Sequence, residues 1–125
     1  MKVPENLLYT KEHEWISKES NAVKVGITDF AQSQLGDIIF LELPEVGDQI
    51  IAGEAFGEIE AVKTVSELYA PIDGTILEIN EDLEDSPDNI NQDCYGTGWI
   101  IKVSHEGDLE SNDLLDYKAY SNLIE

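Results

Sequence analysis

The stretch Ala55-Phe56-Gly57-Glu58-Ile59-Glu60-Ala61-Val62-Lys63-Thr64-Val65-Ser66-Glu67-Leu68-Tyr69-Ala70-Pro71 decides how the chain is read. It is rich in β-branched and aromatic residues, which favour a pleated surface. It is also about three times as long as an ordinary strand, so it is expected to fold back on itself near its middle. Lys63 stands at that middle, with Glu58, Glu60 and Glu67 close by and Lys24 and Lys102 as the nearest other lysines in sequence. A lysine raised alone on a hairpin tip is an exposed primary amine with a single address, which is what a modifying ligase needs. The plainer alternative is a solubilising edge-strand lysine.

On either side of this stretch, the remaining segments read as short strands broken by turn chemistry. His13-Glu14-Trp15-Ile16-Ser17 and Val23-Lys24-Val25-Gly26-Ile27 flank the polar turn 18–21 and predict a hairpin. Thr28-Asp29 offers an N-cap, Gln32 follows Asp29 at capping-box spacing, and Gly36 stops the turn, so a short helix is expected near 29–35 with Phe30, Ala31 and Leu35 inward. Asp37 to Leu43 is apolar on both faces and reads as a central strand ended by Pro44. Asp73-Gly74 signals another hairpin, and Gly47-Asp48 faintly echoes it, as two related halves would. The acidic run 81–93 reads as a surface loop, with room for one helical turn and with Leu83 and Ile90 as anchors. Trp99-Ile100-Ile101-Lys102-Val103 is a last strand, and 108–124 turns helical, with Leu114, Leu115, Ala119, Tyr120, Leu123 and Ile124 spaced for one buried stripe. Many short strands with a helical tail predict an all-β sandwich or flattened barrel in one domain spanning 1–125.

Composition narrows the function. Seven basic residues, all lysine, stand against 27 acidic ones, a net charge of −20 that disfavours nucleic acid and anionic membrane. The 42% hydrophobic content is too high for a disordered acidic segment. A single cysteine, Cys94, closes no intramolecular disulfide and fits a reducing compartment. The longest apolar run, Ile38-Ile39-Phe40-Leu41, is far short of a spanning helix, and the opening Met1-Lys2-Val3-Pro4-Glu5 carries no leader pattern, so a cytoplasmic chain is expected, or a matrix one if a transit peptide was removed.

Chemistry-bearing constellations are few. His13 and His105 are far apart in sequence, no Cys or His pair has metal-ligand spacing, and the acidic run lacks the glycine of a calcium loop, so neither a metal site nor a Ser/His/Asp or Cys/His catalytic constellation is expected. Glu14 beside His13, between Tyr9 and Trp15, is the best acid–base candidate. Neighbours along a strand point to opposite faces, however, and the plainer expectation is one outward and one half-buried polar residue.

Residues 57–74 resemble the lipoyl-attachment region of the glycine cleavage system H-protein family. Further blocks are similar in order: Tyr9-Thr10-Lys11-Glu12-His13-Glu14-Trp15, Val25-Gly26-Ile27-Thr28-Asp29-Phe30-Ala31-Gln32, Leu35-Gly36-Asp37-Ile38, Leu41-Glu42-Leu43-Pro44, Leu83-Glu84-Asp85 with Pro87, and residues 95–103. The resemblance implies a barrel-sandwich hybrid of the biotinyl/lipoyl type, with a lipoyl hairpin at about 55–72 and (R)-lipoate joined as an amide to Lys63. It implies a carrier without catalytic activity. Its partners would be a pyridoxal-phosphate glycine decarboxylase, a tetrahydrofolate-dependent aminomethyltransferase, the FAD enzyme dihydrolipoamide dehydrogenase, and a lipoyl ligase or octanoyl transferase. The aminomethyl group of glycine would ride on the arm and shelter in a cleft to which Glu14 and Glu67 belong. Departures include Ala61 and Thr64 beside the attachment pair, Glu12 where Ser is frequent, and Cys94 where Pro is usual; an exposed Cys94 would exchange with the arm. Three alternatives stand beside this reading: a reservoir passing lipoyl groups to other complexes, a biotin carrier, whose lysine is typically flanked by Met, and a hydrolase using His13 and Glu14.

Overall fold

The computed structural model describes residues 2–105 and 114–124. Among the described residues, nine strands and four helices follow one another as β1 (Leu8–Tyr9), β2 (Glu14–Lys18), β3 (Ala22–Ile27), α1 (Asp29–Leu35), β4 (Ile38–Glu42), β5 (Gln49–Ile50), β6 (Ala55–Ala61), β7 (Val65–Tyr69), β8 (Gly74–Ile79), α2 (Asp82–Asp85), α3 (Asn89–Asp93), β9 (Ile101–Ser104) and α4 (Tyr117–Ile124). All pairings are antiparallel. The strands form a six-stranded sheet, β1-β2-β3-β9-β8-β5, and a three-stranded sheet, β4-β6-β7. Neither closes on itself.

The core lies between the two sheets. Val23, Val25, Ile76, Ile101 and Val103 of the large sheet and Leu41, Ile59 and Leu68 of the small one belong to one buried cluster. Alternation along each strand sends these side chains inward and leaves Lys24, Glu58 and Glu67 outside the core. A second cluster of Leu7, Tyr9, Trp15 and Tyr120 seats α4 against the N-terminal strands. There Tyr9 and Tyr120 stack with ring centroids 4.6 Å apart.

The hairpins β2–β3 and β6–β7 and the helix α1 follow local signals. Thr28 is the residue that caps α1, its Oγ1 accepting from Ala31 N–H at 3.2 Å, while Asp29 Oδ1 accepts from Gln32 Nε2 at 2.8 Å. Ala31 and Leu35 pack against the core, whereas no residue of α1 is fully buried.

Four expectations are corrected. Residues 37–43 do not form a central strand: β4 is an edge of the small sheet, and Ile39 and Phe40 are 52% and 58% exposed. A register irregularity between Ile38 and Phe40 accompanies this, and the two-sided apolar pattern reflects surface side chains rather than double burial. Asp73-Gly74 does not close a hairpin; the chain crosses there from the small sheet to the large one, and Asp73 Oδ1 accepts from Ala52 N–H at 2.8 Å. The run 81–93 is not a loop but two short helices, α2 and α3, nailed to the core by Leu83 and Ile90. Finally, Leu115 is not helical: its N–H and C=O bond Tyr9 at 2.7 and 2.8 Å as a bridge, and α4 begins only at Tyr117. Tyr120 is buried with Tyr117 and Ile124 packed beside it, while Leu123 is exposed; residues 108–113 of the expected helical tail lie outside the described residues.

Gly47 N–H and Asp48 C=O both bond Ile76, and Gly53 N–H and Glu54 C=O both bond Ala70. Among the described residues no helix is long and apolar enough to cross a membrane.

Candidate functional site

The strands β6 and β7 form a ladder in which Glu58 faces Glu67, Ile59 faces Ser66 and Glu60 faces Val65. The chain reverses through Val62, Lys63 and Thr64, all exposed, with Ala61 N–H donating to Thr64 O at 2.8 Å. Val62 N–H donates to Asp37 O at 3.0 Å, tethering the tip to the connection between α1 and β4. Gly57 allows the hairpin to lie against β4: a Cβ there would fall 2.4 Å from the Glu42 carbonyl oxygen. Among the described residues Lys63 makes no ion pair and no side-chain hydrogen bond, although acidic residues surround it in sequence. Its amine stands in water on a backbone fixed at both ends.

Beside β7, where its edge approaches α1 and the start of β2, lies a cleft of about 230 Å³. Glu12, Glu14 and Glu67 supply its carboxylates, and Ile27, Phe30 and Leu35 part of its apolar wall. The two site candidates other than Lys63, Glu14 and Glu67, therefore line one cavity.

Glu14 is only 2% exposed. Its Oε2 accepts from Tyr69 N–H at 2.8 Å and its Oε1 from Thr10 Oγ1 at 3.2 Å. Thr10 Oγ1 in turn accepts from the N–H groups of Glu12 and Glu14, so its own proton is directed at the carboxylate. Burial pushes the Glu14 carboxyl up to about 8, the two hydrogen bonds resist that rise, and the charge of Glu12 adds to it. The expectation of a half-buried residue in an ordinary strand is thus overturned, because Glu14 sits where β2 turns beneath the edge of β7.

His13 is not part of the strand. Its φ of 67° is the one positive value outside glycine among the described residues. Its ring lies 4.8 Å from that of Phe30, and Nδ1 is 2.9 Å from Tyr120 Oη, which also meets Thr28 Oγ1 at 2.7 Å. Burial lowers the His13 pKa, with Glu12 opposing, so the imidazole is neutral at physiological pH. Glu67 is exposed, and its charge and hydrogen bond raise the phenol of Tyr69.

Cys94 is buried, and burial pushes its thiol up to about 12, so it lacks the thiolate character that exchange with an arm would require. His105 does not line the cleft, and among the described residues no three His, Cys, Asp or Glu are grouped to hold a metal ion. The partners that hold the cleft in shape, Tyr69 N–H under Glu14 and Tyr120 under His13, were not legible in sequence. Each lies 55 or more positions away from the side chain it holds. Thr10, four residues before Glu14, was the only local signal.

The profile of the family described as Glycine cleavage H-protein matches residues 7–125. The glycine cleavage system H protein of Bacillus licheniformis is 53% identical over 124 residues, covering 99% of this chain and 98% of that protein. That of Oceanobacillus iheyensis is 48% identical over 125 residues, covering 100% and 99%. A crystal structure of a glycine cleavage system H protein from Mycobacterium marinum superposes with a TM-score of 0.87 at 40% identity, covering 96% of this chain and 97% of that one. The two open sheets are the barrel-sandwich hybrid of that neighbour. The chain belongs to the glycine cleavage H-protein family, the lipoyl carriers of the glycine cleavage system.

Proposed function

We propose that Lys63 carries lipoic acid through an amide on its ε-amine and that the protein is a carrier, not a catalyst. The single observation behind this is the position of that amine: exposed, free of ion pairs among the described residues, and held at the apex of a rigid hairpin. The surroundings fit the group. An extended lysyl–lipoyl side chain reaches roughly 14 Å from its Cα by bond lengths alone. Glu67, four residues along the strand from Lys63, lies within about 13 Å. When bound, lipoate supplies a dithiol–disulfide couple that carries both a one-carbon unit and electrons.

The chain's own residues shelter the cargo, the aminomethyl group of glycine. Before cargo enters the cleft, Glu14 holds a proton at neutral pH, as its raised pKa requires. A neutral amine entering the cleft accepts that proton, and an ammonium ion displaces it; either way the carboxylate ends as acceptor to a protonated nitrogen. Protonation occupies the nitrogen lone pair that would otherwise break the carbon–sulfur bond, with the sulfur leaving as thiolate, and the wall of Ile27, Phe30 and Leu35 excludes water. Glu67, exposed at the mouth, adds a second acceptor.

The partners in this reading are glycine decarboxylase with pyridoxal phosphate, the tetrahydrofolate-dependent aminomethyltransferase, dihydrolipoamide dehydrogenase with FAD, and a lipoyl ligase or octanoyl transferase. The bacterial relatives support a cytoplasmic setting. Intact mass measured after incubation with lipoate, ATP and a lipoyl ligase is expected to rise by one lipoyl group in the wild type and not in Lys63→Arg. An unmodified wild type, or a modified Lys63→Arg, refutes the assignment.

A further inference from the structure

We infer that Asn91 is a positioning residue for the Lys63 turn, acting as a brace behind the backbone to which the hairpin tip is tied; this rests on Lys63 as the attachment residue. The tip leans on Asp37, whose carbonyl receives Val62 N–H at 3.0 Å. Asp37 has no regular structure of its own, because α1 has ended at Gly36, in a left-handed conformation with φ 80°, and β4 has not begun. The two residues flanking Asp37 are both gripped by one side chain. Asn91 Nδ2 donates to Gly36 O at 2.8 Å, and Asn91 Oδ1 accepts from Ile38 N–H at 3.0 Å. The same Nδ2 also meets Gln32 Oε1 at 3.1 Å, which adds the last turn of α1 to the grip. Asn91 is itself fixed by its helix, whose Ile90 is fully buried in the core.

Only a carboxamide offers a donor to one flank and an acceptor to the other at this spacing. With the peptides on both sides of Asp37 fixed, its carbonyl direction is fixed, and so are Val62 N–H and the exit direction of the neighbouring Lys63. Aspartate at position 91 would keep the bond from Ile38 but set a carboxylate against Gly36 O and Gln32 Oε1. The tip would then lose its backing while the β6–β7 ladder remained paired.

The test compares Asn91→Asp with Asn80→Asp, since Asn80 is a buried carboxamide whose Nδ2 grips Thr97 O and Trp99 O at 2.8 and 2.7 Å, outside the hairpin. In Asn91→Asp, Val62 amide exchange is expected to quicken on the order of tenfold, with Val25 in the core unchanged. Ligase kcat/KM on the apo protein is expected to fall about tenfold, because a small misplacement of a reacting group costs up to a hundredfold. Asn80→Asp, compared where both variants are fully folded, is expected to leave both readouts near wild type. Should Asn91→Asp fail to fold, Asn91→Ala carries the same test, removing the grip on both flanks of Asp37. Unchanged Val62 exchange, or an equal loss of kcat/KM in Asn80→Asp, overturns the inference. A wild type that is never lipoylated, with Val62 still freed by the Asn91 variants, overturns the attachment reading and leaves the brace supported.

Discussion

Replacing Glu14 by Gln is expected to remove a pH dependence of stability that this one buried group imposes. In the folded chain its carboxyl is pushed from 4.5 to about 8 by burial, so between those values the folded state holds a proton that the unfolded state has released. Stability from this group is therefore full below pH 4.5 and lost as pH rises through 8, at about 1.4 kcal/mol per pH unit. Over the whole window the loss is on the order of 5 kcal/mol, a large part of a small domain's stability. The carboxamide in Glu14→Gln cannot ionise, and its oxygen can still accept from Tyr69 N–H. Urea unfolding of both proteins at pH 5, 6, 7 and 8 isolates the effect, because every other carboxylate titrates in both and cancels in the difference. The variant should gain on the wild type at each step and be clearly the more stable at pH 8. A difference that stays flat across the four pH values means that Glu14 ionises as an exposed carboxyl does, and the account of proton exchange with the cargo fails with it.

Three further outcomes follow from the fold. Gly57→Ala should cost about 1–3 kcal/mol in urea unfolding by forcing β4 off β6, since the new methyl has no space beside the Glu42 carbonyl; a wild-type midpoint contradicts the packing described. Cys94 should resist iodoacetamide at pH 8 in the folded protein and react fully after unfolding, and rapid native labelling contradicts its burial. Association of the lipoylated protein with basic enzyme surfaces should weaken steeply as salt is raised, given the net charge of −20; affinity indifferent to ionic strength removes the electrostatic part of recognition.

The elements that sequence disclosed are those set by neighbours along the chain. Lys63 needed only the length of its β-rich segment to be placed on a turn, and α1 only its capping residues and Gly36. Residues 37–43 misled because alternation reports which side chains are apolar, not which face is covered, and the outer face of the small sheet leaves Ile39 and Phe40 in water. Asp73-Gly74 misled because the same dipeptide serves a tight hairpin and a crossing between sheets. Glu14 looked like one member of a strand pair because its burial depends on Tyr69, and the brace at Asn91 was invisible because its partners lie more than fifty residues away. Buried polar networks are long-range in sequence, and hydrophobic periodicity carries no trace of them.

That long-range bond also complicates what Glu14 does, and it supplies the means to separate two roles. Through Tyr69 N–H, Glu14 clips the edge strand β7, which returns from Lys63, to β2 of the other sheet. Glu14→Ala removes the clip and the charge together, so faster loss of cargo in that variant alone is ambiguous between a displaced β7 and a missing acceptor. Glu14→Gln keeps an acceptor for Tyr69 and removes only the charge. If the charge retains the protonated amine, both variants shed the aminomethyl group faster than wild type and to a similar degree, while Tyr69 amide exchange quickens in Glu14→Ala alone. Loss confined to Glu14→Ala assigns Glu14 to the architecture of β7 and leaves the carboxylates at the mouth, Glu12 and Glu67, to hold the amine.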